Sequence, residues 1–363
     1  MFGPFGDYVI PWYGRELDRL ESLIVRNEGE RKELIMRVQD MRVEIDDLAD
    51  EGFVELSSQF DLHYNAGVRL QQLYDTFYLP GDSGILNPLP RADRLIDFSE
   101  VTDNGYGEAQ PLTDYLKHLE NITYNNVSDQ VRYSENYSAW RTAAGIIIDY
   151  QLLFAEQILS KKFDTLVALL RDMLPQYLIA RWKDINVLPL PLGRSYLDRF
   201  GPNYEAYDNL TCPLYQALKK EPNDFNKMWK EAVKLTRERN TGQECMRKME
   251  QALRNEYSFL QKAGSLLVVE TGLQATMPLF LESVFDNMEW FMFTAAPWLL
   301  DIYRDRIFCH QYSMLRPCET LFCTDNLFTV SFENGKCFAR ETLNPLIRNL
   351  AYWEIAALKQ RSS

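Results

Sequence analysis

Apolar residues recur in alternating steps of three and four along the first fifty positions, at Leu17, Leu20, Ile24, Leu34, Val38, Met41, Ile45 and Leu48, with Asn27 and Arg31 filling two places in the same series. Charged residues occupy most of the intervening positions. The pattern is a heptad seam, and it predicts one long helix over about residues 13–50. The polar pair Asn27 and Arg31, with Gly29 between them, marks either a register-setting layer or a bend. Under both readings the seam needs a cover: a second helix of the same chain, a second copy, or another protein.

Helical periods dominate further along. A shorter helix is expected over 53–78, followed by a Pro- and Gly-rich loop over 79–111 and a short helix in "PLTDYLKHLENI". Ile147, Tyr150, Phe154, Ile158, Leu166 and Leu170 lie at helical spacing within a long element expected over about 128–173 and ended by Pro175. Residues 185–215 read as a second irregular connection. Two helices should follow, one starting at Asn223 or Asp224 and running to about Arg239, the other from Thr241 to Ala263 with Cys245, Met249, Leu253, Tyr257 and Leu260 on its apolar stripe. A helix over about 278–308 should be interrupted near Pro297. The period changes only at 327–339, where β-branched and aromatic residues flank Asn334-Gly335 and predict a hairpin. A final amphipathic helix closes the chain. The expected fold class is therefore mainly α: a heptad arm over 1–52, a helical bundle over 53–300, and a C-terminal region over 301–363 with a small β-hairpin.

Charge and composition narrow the partners. The 363 residues carry a net charge of −13, which disfavours binding to nucleic acid through phosphate neutralisation. The densest basic stretch, Lys219 to Arg254, is interleaved with Glu231, Glu238 and Glu244 and reads as a solvated helix face. The best apolar runs, 143–155 and 278–300, contain carboxylates, so no transmembrane segment is expected. The first residues show no basic region followed by an apolar one, which favours an intracellular or virion-associated setting over a secreted one. A mild contrary signal comes from four N-glycosylation motifs, at Asn121, Asn126, Asn136 and Asn209.

Cysteine and histidine bear on chemistry. Cys309, His310, Cys318 and Cys323 fall within "RIFCHQYSMLRPCETLFC", and Cys212, Cys245 and Cys337 complete the set of six cysteines. No CxxC or HxxxH pair is present, so a structural zinc site is disfavoured. Packed thiols are the favoured reading, and a disulfide framework in an oxidising compartment is the alternative. Gly81-Asp82-Ser83-Gly84 resembles the nucleophile loop of trypsin-like serine proteases over four residues, but it lies between expected helices and reads as a turn. Glu282, Asp286 and Glu289 would share one face of a helix, where paired acids could serve acid–base chemistry or cation binding, although a solvated face is the simpler reading. Phosphate-loop and zinc-protease motifs are absent, and no cofactor or metal is expected. The sequence thus favours a non-enzymatic structural or scaffold subunit of a virion, cytoskeletal or other assembly, acting through protein contacts along the heptad seam. The alternatives are a secreted, disulfide-bonded, glycosylated binding protein and a hydrolase using the carboxylates near Glu282.

Overall fold

The computed structural model describes residues 105–128, 135–170, 172–192, 196, 199, 242–273, 275–295, 303–309, 327–333 and 335–363. The heptad seam, the helices expected over 53–78 and 223–239, the 81–84 turn and most of the two long loops lie outside the described residues, as do Cys212, Cys318, Cys323 and Asn209.

The described residues form an α/β fold, not a mainly α bundle with a hairpin. At its centre is a five-stranded, wholly parallel sheet of β2 (Thr165–Leu169), β3 (Val187–Leu190), β4 (Leu266–Leu273), β5 (Met288–Ala295) and β6 (Ile307–Cys309), in the spatial order β3-β2-β4-β5-β6. A second, antiparallel sheet has the order β1-β8-β7, from β1 (Gln110–Pro111), β7 (Phe328–Glu333) and β8 (Lys336–Glu341). The β7–β8 turn contains Gly335 at φ +75°, a conformation that favours glycine.

Burial on both faces explains why the central strands were hidden in the sequence. A strand of a covered parallel sheet is apolar throughout, so it shows no alternation. All five residues of β2 are buried, and the helix-like spacing of Leu166 and Leu170 is accidental. The helix expected over 128–173 stops at Leu159, and Pro175, read as its terminator, stands in the first turn of the next helix, where proline's missing N–H costs nothing. The helix expected over 278–308 is in fact a short helix, a strand, a 3-10 turn and another strand.

Helices cover both faces. On one side lie α1 (Leu112–Glu120), α2 (Glu135–Leu159), α3 (Leu174–Trp182) and the C-terminal α6 (Pro345–Ser362). Their apolar residues form one core with Leu166 and Ala168 of β2, Leu267 and Val269 of β4, and Phe291 and Phe293 of β5. Phe154 of α2 meets the rings of Phe291, Phe293 and Phe308. On the other side α5 (Thr276–Val284) packs on β4 and β5, and α4 (Gly242–Glu256) packs on α5. Strand alternation points Val167, Leu266, Val268, Trp290 and Met292 toward that layer, and all are buried. The small sheet joins the first core through Phe328 and Ala339, with Leu327 just before β7, and the Tyr115 ring meets that of Phe328 at a tilt, 5.1 Å between ring centres. Glu341 at the end of β8 accepts hydrogen bonds from Tyr115 and Tyr352, tying α1 and α6 to this sheet. Among the described residues no helix is long and apolar enough to cross a membrane.

Candidate functional site

In the central sheet the chain leaves β2 toward β3 on one side, whereas it leaves β4 toward β5 on the other. The carboxyl ends of β2 and β4 are therefore the switch point of a doubly wound sheet, the place where open α/β sheets take their ligands. Two turns carry the residues there. From β2, Leu170 donates its N–H to Leu190 O, Met173 donates to Leu169 O, and α3 begins at Leu174, so Asp172 sits in a tight strand-to-helix turn. From β4, the strand runs through Glu270, Thr271 and Gly272, and α5 begins at Thr276.

The β4–α5 turn has a demanding backbone. Gly272 has φ +139°, and a Cβ at this position would collide with the carbonyl oxygen of Thr294 on β5, so only glycine fits. Ala275, the residue before α5, is left-handed at φ +54°, and its own side chain makes no capping hydrogen bond. A non-glycine residue in that conformation stores strain, and strain of this kind concentrates at ligand-binding turns.

Glu270 is the central group. It belongs to the alternating set Leu266, Val268 and Glu270 that faces the α5 layer, and its register partner on β5 is Met292. The residue is half-buried, but its Oε2 is covered and has no hydrogen-bond partner among the described residues. Burial, followed by the neighbouring charge of Asp172, pushes its carboxyl up to about 8. Glu270 therefore holds its proton at neutral pH and is close to giving it up. Its neighbour Thr271 is buried, with Oγ1 likewise lacking a partner among the described residues.

The carboxylates singled out from sequence do not meet here. Glu282 lies on α5, Asp286 in the turn after it, and Glu289 on β5, so they share no helix face. Glu282 accepts from Trp290 Nε1 at 3.0 Å and from Arg306 at 3.3 Å, and Arg306 in turn covers the Trp290 ring: the carboxylate is consumed by a structural cluster. Cys309 and Cys337 are both thiols; Cys309 is buried on β6, and burial pushes the Cys337 thiol up to about 11. Cys245 lies on α4. Among the described residues no group of three or more His, Cys, Asp or Glu side chains is placed to hold a metal ion. Asn121 ends α1 and donates to Lys117 O, Asn126 accepts from Thr123 in a 3-10 turn, and Asn136 lies on α2.

Asp172 was hidden inside the helix expected over 128–173, whereas Glu270 fell between the helices expected to end at Ala263 and to begin near 278, in a stretch to which the periodicity assigned no element. The available signal was the order of features from Leu266 to Thr276: an apolar run, an acid, a glycine, then a helical period. Comparison with known protein families, with curated proteins and with solved structures finds no match for this chain.

Proposed function

We propose that this chain handles a polar small molecule bound beyond the carboxyl ends of β2 and β4, with Glu270 and Asp172 exchanging a proton with it. One observation carries the reading: at the switch point of the sheet stands a half-buried carboxyl with a covered, unpartnered oxygen beside a second acid. Fold alone assigns no activity, so the argument rests on these side chains. A carboxyl poised near 8 is matched to acid–base work close to neutral pH, because it is protonated enough to donate and labile enough to return as a base. The reaction class supported is proton transfer to or from a ligand.

The test is a metabolite screen on the full chain by thermal shift, with hits mapped by hydrogen exchange. Protection centred on 170–173 and 270–277, weakened in Glu270→Gln, is the expected result. Hits that protect other segments and ignore Glu270→Gln would sink the reading.

A role in assembly remains a second reading, carried by the heptad periodicity of Leu17 to Leu48. It assigns the N-terminal segment to self-association and leaves the α/β core to the ligand. Sedimentation of the full chain should show an oligomer that Leu34→Lys with Val38→Lys dissociates; equal masses for the two proteins would mean that the seam closes within its own chain.

A further inference from the structure

We propose that α6 is latched by a proton: the helix stays docked while Glu354 is neutral and leaves its seat when that carboxyl ionises. The inference is independent of the ligand site proposed above.

The surroundings of Glu354 hold no answer to a charge. The residue is 1% exposed, and neither Oε1 nor Oε2 has a hydrogen-bond partner among the described residues. One turn away on either side, at the positions that share its face, stand Leu350, Ala351, Ala357 and Leu358, all buried and apolar. The polar side chains described on the elements packed against α6 are engaged elsewhere. From α2, Asp149 binds Arg361 at 2.6 Å and Glu156 is exposed. From α3, Tyr177 and Arg181 bind Glu120 of α1, and Lys183 donates to the Ser362 carbonyl. His118 of α1 meets the Tyr352 hydroxyl, and the 3-10 turn Tyr124–Asn126 turns the Tyr124 ring to Trp353. On α6 itself, Arg348 faces Glu341 at 3.9 Å and Lys359 donates to the Glu120 carbonyl. A carboxylate in such a place, with neither counter-charge nor hydrogen bond, is costlier than an exposed one. Burial alone raises the Glu354 carboxyl, with no charged neighbour contributing.

The way α6 is attached lets it leave by itself. It adds no strand to either sheet, and among the described residues no backbone–backbone hydrogen bond joins it to another element. Side chains make its ties, and the Arg361–Asp149 pair lies at the surface, where ion pairs hold weakly. The five parallel strands pair among themselves and keep their hydrogen bonds when α6 is gone. Openings confined to one contiguous element cost less than unfolding the whole. Undocking bares the apolar residues of α2 and α3 that share a core with α6. With the helix out, Glu354 returns toward its ordinary value of 4.5; with the helix in, it lies well above. Rising pH therefore favours the open form, by up to about tenfold per pH unit between the two values.

The experiment is hydrogen exchange of the full chain from about pH 5 to 9, expressed as protection relative to the intrinsic exchange rate at each pH. The parent is compared with Glu354→Gln, which keeps the shape and never ionises. The α6 amides are expected to be less protected than those of β2 and β4 and to lose up to about tenfold in protection per pH unit. In Glu354→Gln their protection should stay level, and Glu354→Met should match it, which separates the charge from the hydrogen bonding of the amide. Equal protection of α6 and the strands at every pH would show that the fold opens only as one unit. A level α6 profile in the parent, or a slope that both variants retain, would show that this carboxyl does not hold the latch. Each of these results overturns the inference.

Discussion

Gly272 and Glu354 make opposite demands at the scale of a single residue. A methyl at Gly272 must find room against the Thr294 carbonyl at a φ of +139°, and neither the backbone conformation nor the neighbour accommodates it. Strain and overpacking together set the expected loss for Gly272→Ala at on the order of 2–4 kcal/mol, readable by urea denaturation. A loss below about 1 kcal/mol, the ordinary size of a point mutation, would show that the turn relaxes at little cost. Glu354 on α6 is 1% exposed, and neither carboxyl oxygen has a hydrogen-bond partner among the described residues; burial raises its carboxyl well above the ordinary range. An unpartnered buried acid is a liability that a chain of similar length and no polar head removes. Glu354→Met is therefore expected to stabilise the protein by about 1–3 kcal/mol at neutral pH in the same assay. Destabilisation would reveal a partner for this carboxyl and a role for its charge.

Elements differ in how far their sequence announces them, and α6 is the clearest case. Asn344 accepts from the N–H groups of Leu346 at 3.0 Å and Ile347 at 3.3 Å, and Pro345 follows as first helical residue. Asn344→Ala should cost about 1 kcal/mol of stability, with faster amide exchange confined to the first turn of α6; unchanged exchange there would mean that packing alone holds the helix end. The helix itself was expected from the sequence, as was the Asn-Gly hairpin, but as an amphipathic helix; residues 351–358 are all buried, so this stretch of α6 is covered all round. The parallel strands were not expected. Thr165–Leu169 and Met288–Ala295 are covered on both faces, so their apolar residues carry no period of two, and neighbouring helical runs lent them a false period of 3.6. The site was lost with them. Glu270 reads as a stray acid until β4 exists, and Asp172 is brought beside it only by the pairing of Thr165–Ala168 with Leu266–Val269, about a hundred residues on. Legible local chemistry was misdirected for the same reason: the regular spacing of Glu282, Asp286 and Glu289 spans a helix end, a turn and a strand.

For the whole molecule, the two raised carboxyls set the direction in which stability depends on pH. Glu270 has an ordinary value of 4.5 and about 8 in the folded chain, and Glu354 shifts the same way. A folded state that holds these protons more tightly than the unfolded one has their contribution in full below 4.5 and loses it as pH rises; for Glu270 the loss is complete above about 8. Each group adds a slope of at most about 1.4 kcal/mol per pH unit over the range in which it is protonated only when folded. Asp164 at the opposite edge of the sheet acts in the other sense, since hydrogen bonds from Ser265 lower its carboxyl, but that group is exposed and its effect falls at lower pH. The melting temperature should therefore decline from about pH 5 to 8, contrary to the rise that paired carboxylates give most proteins. Glu270→Gln removes the titrating group while keeping the shape, so it should flatten the part of the decline that ends near 8, and Glu354→Met should flatten the remainder. Melting curves of the three proteins across this range decide the matter: a parental profile that is level or rises, unaltered by either substitution, would mean that both acids find partners in solution and that the switch-point carboxyl is ionised before a ligand reaches it.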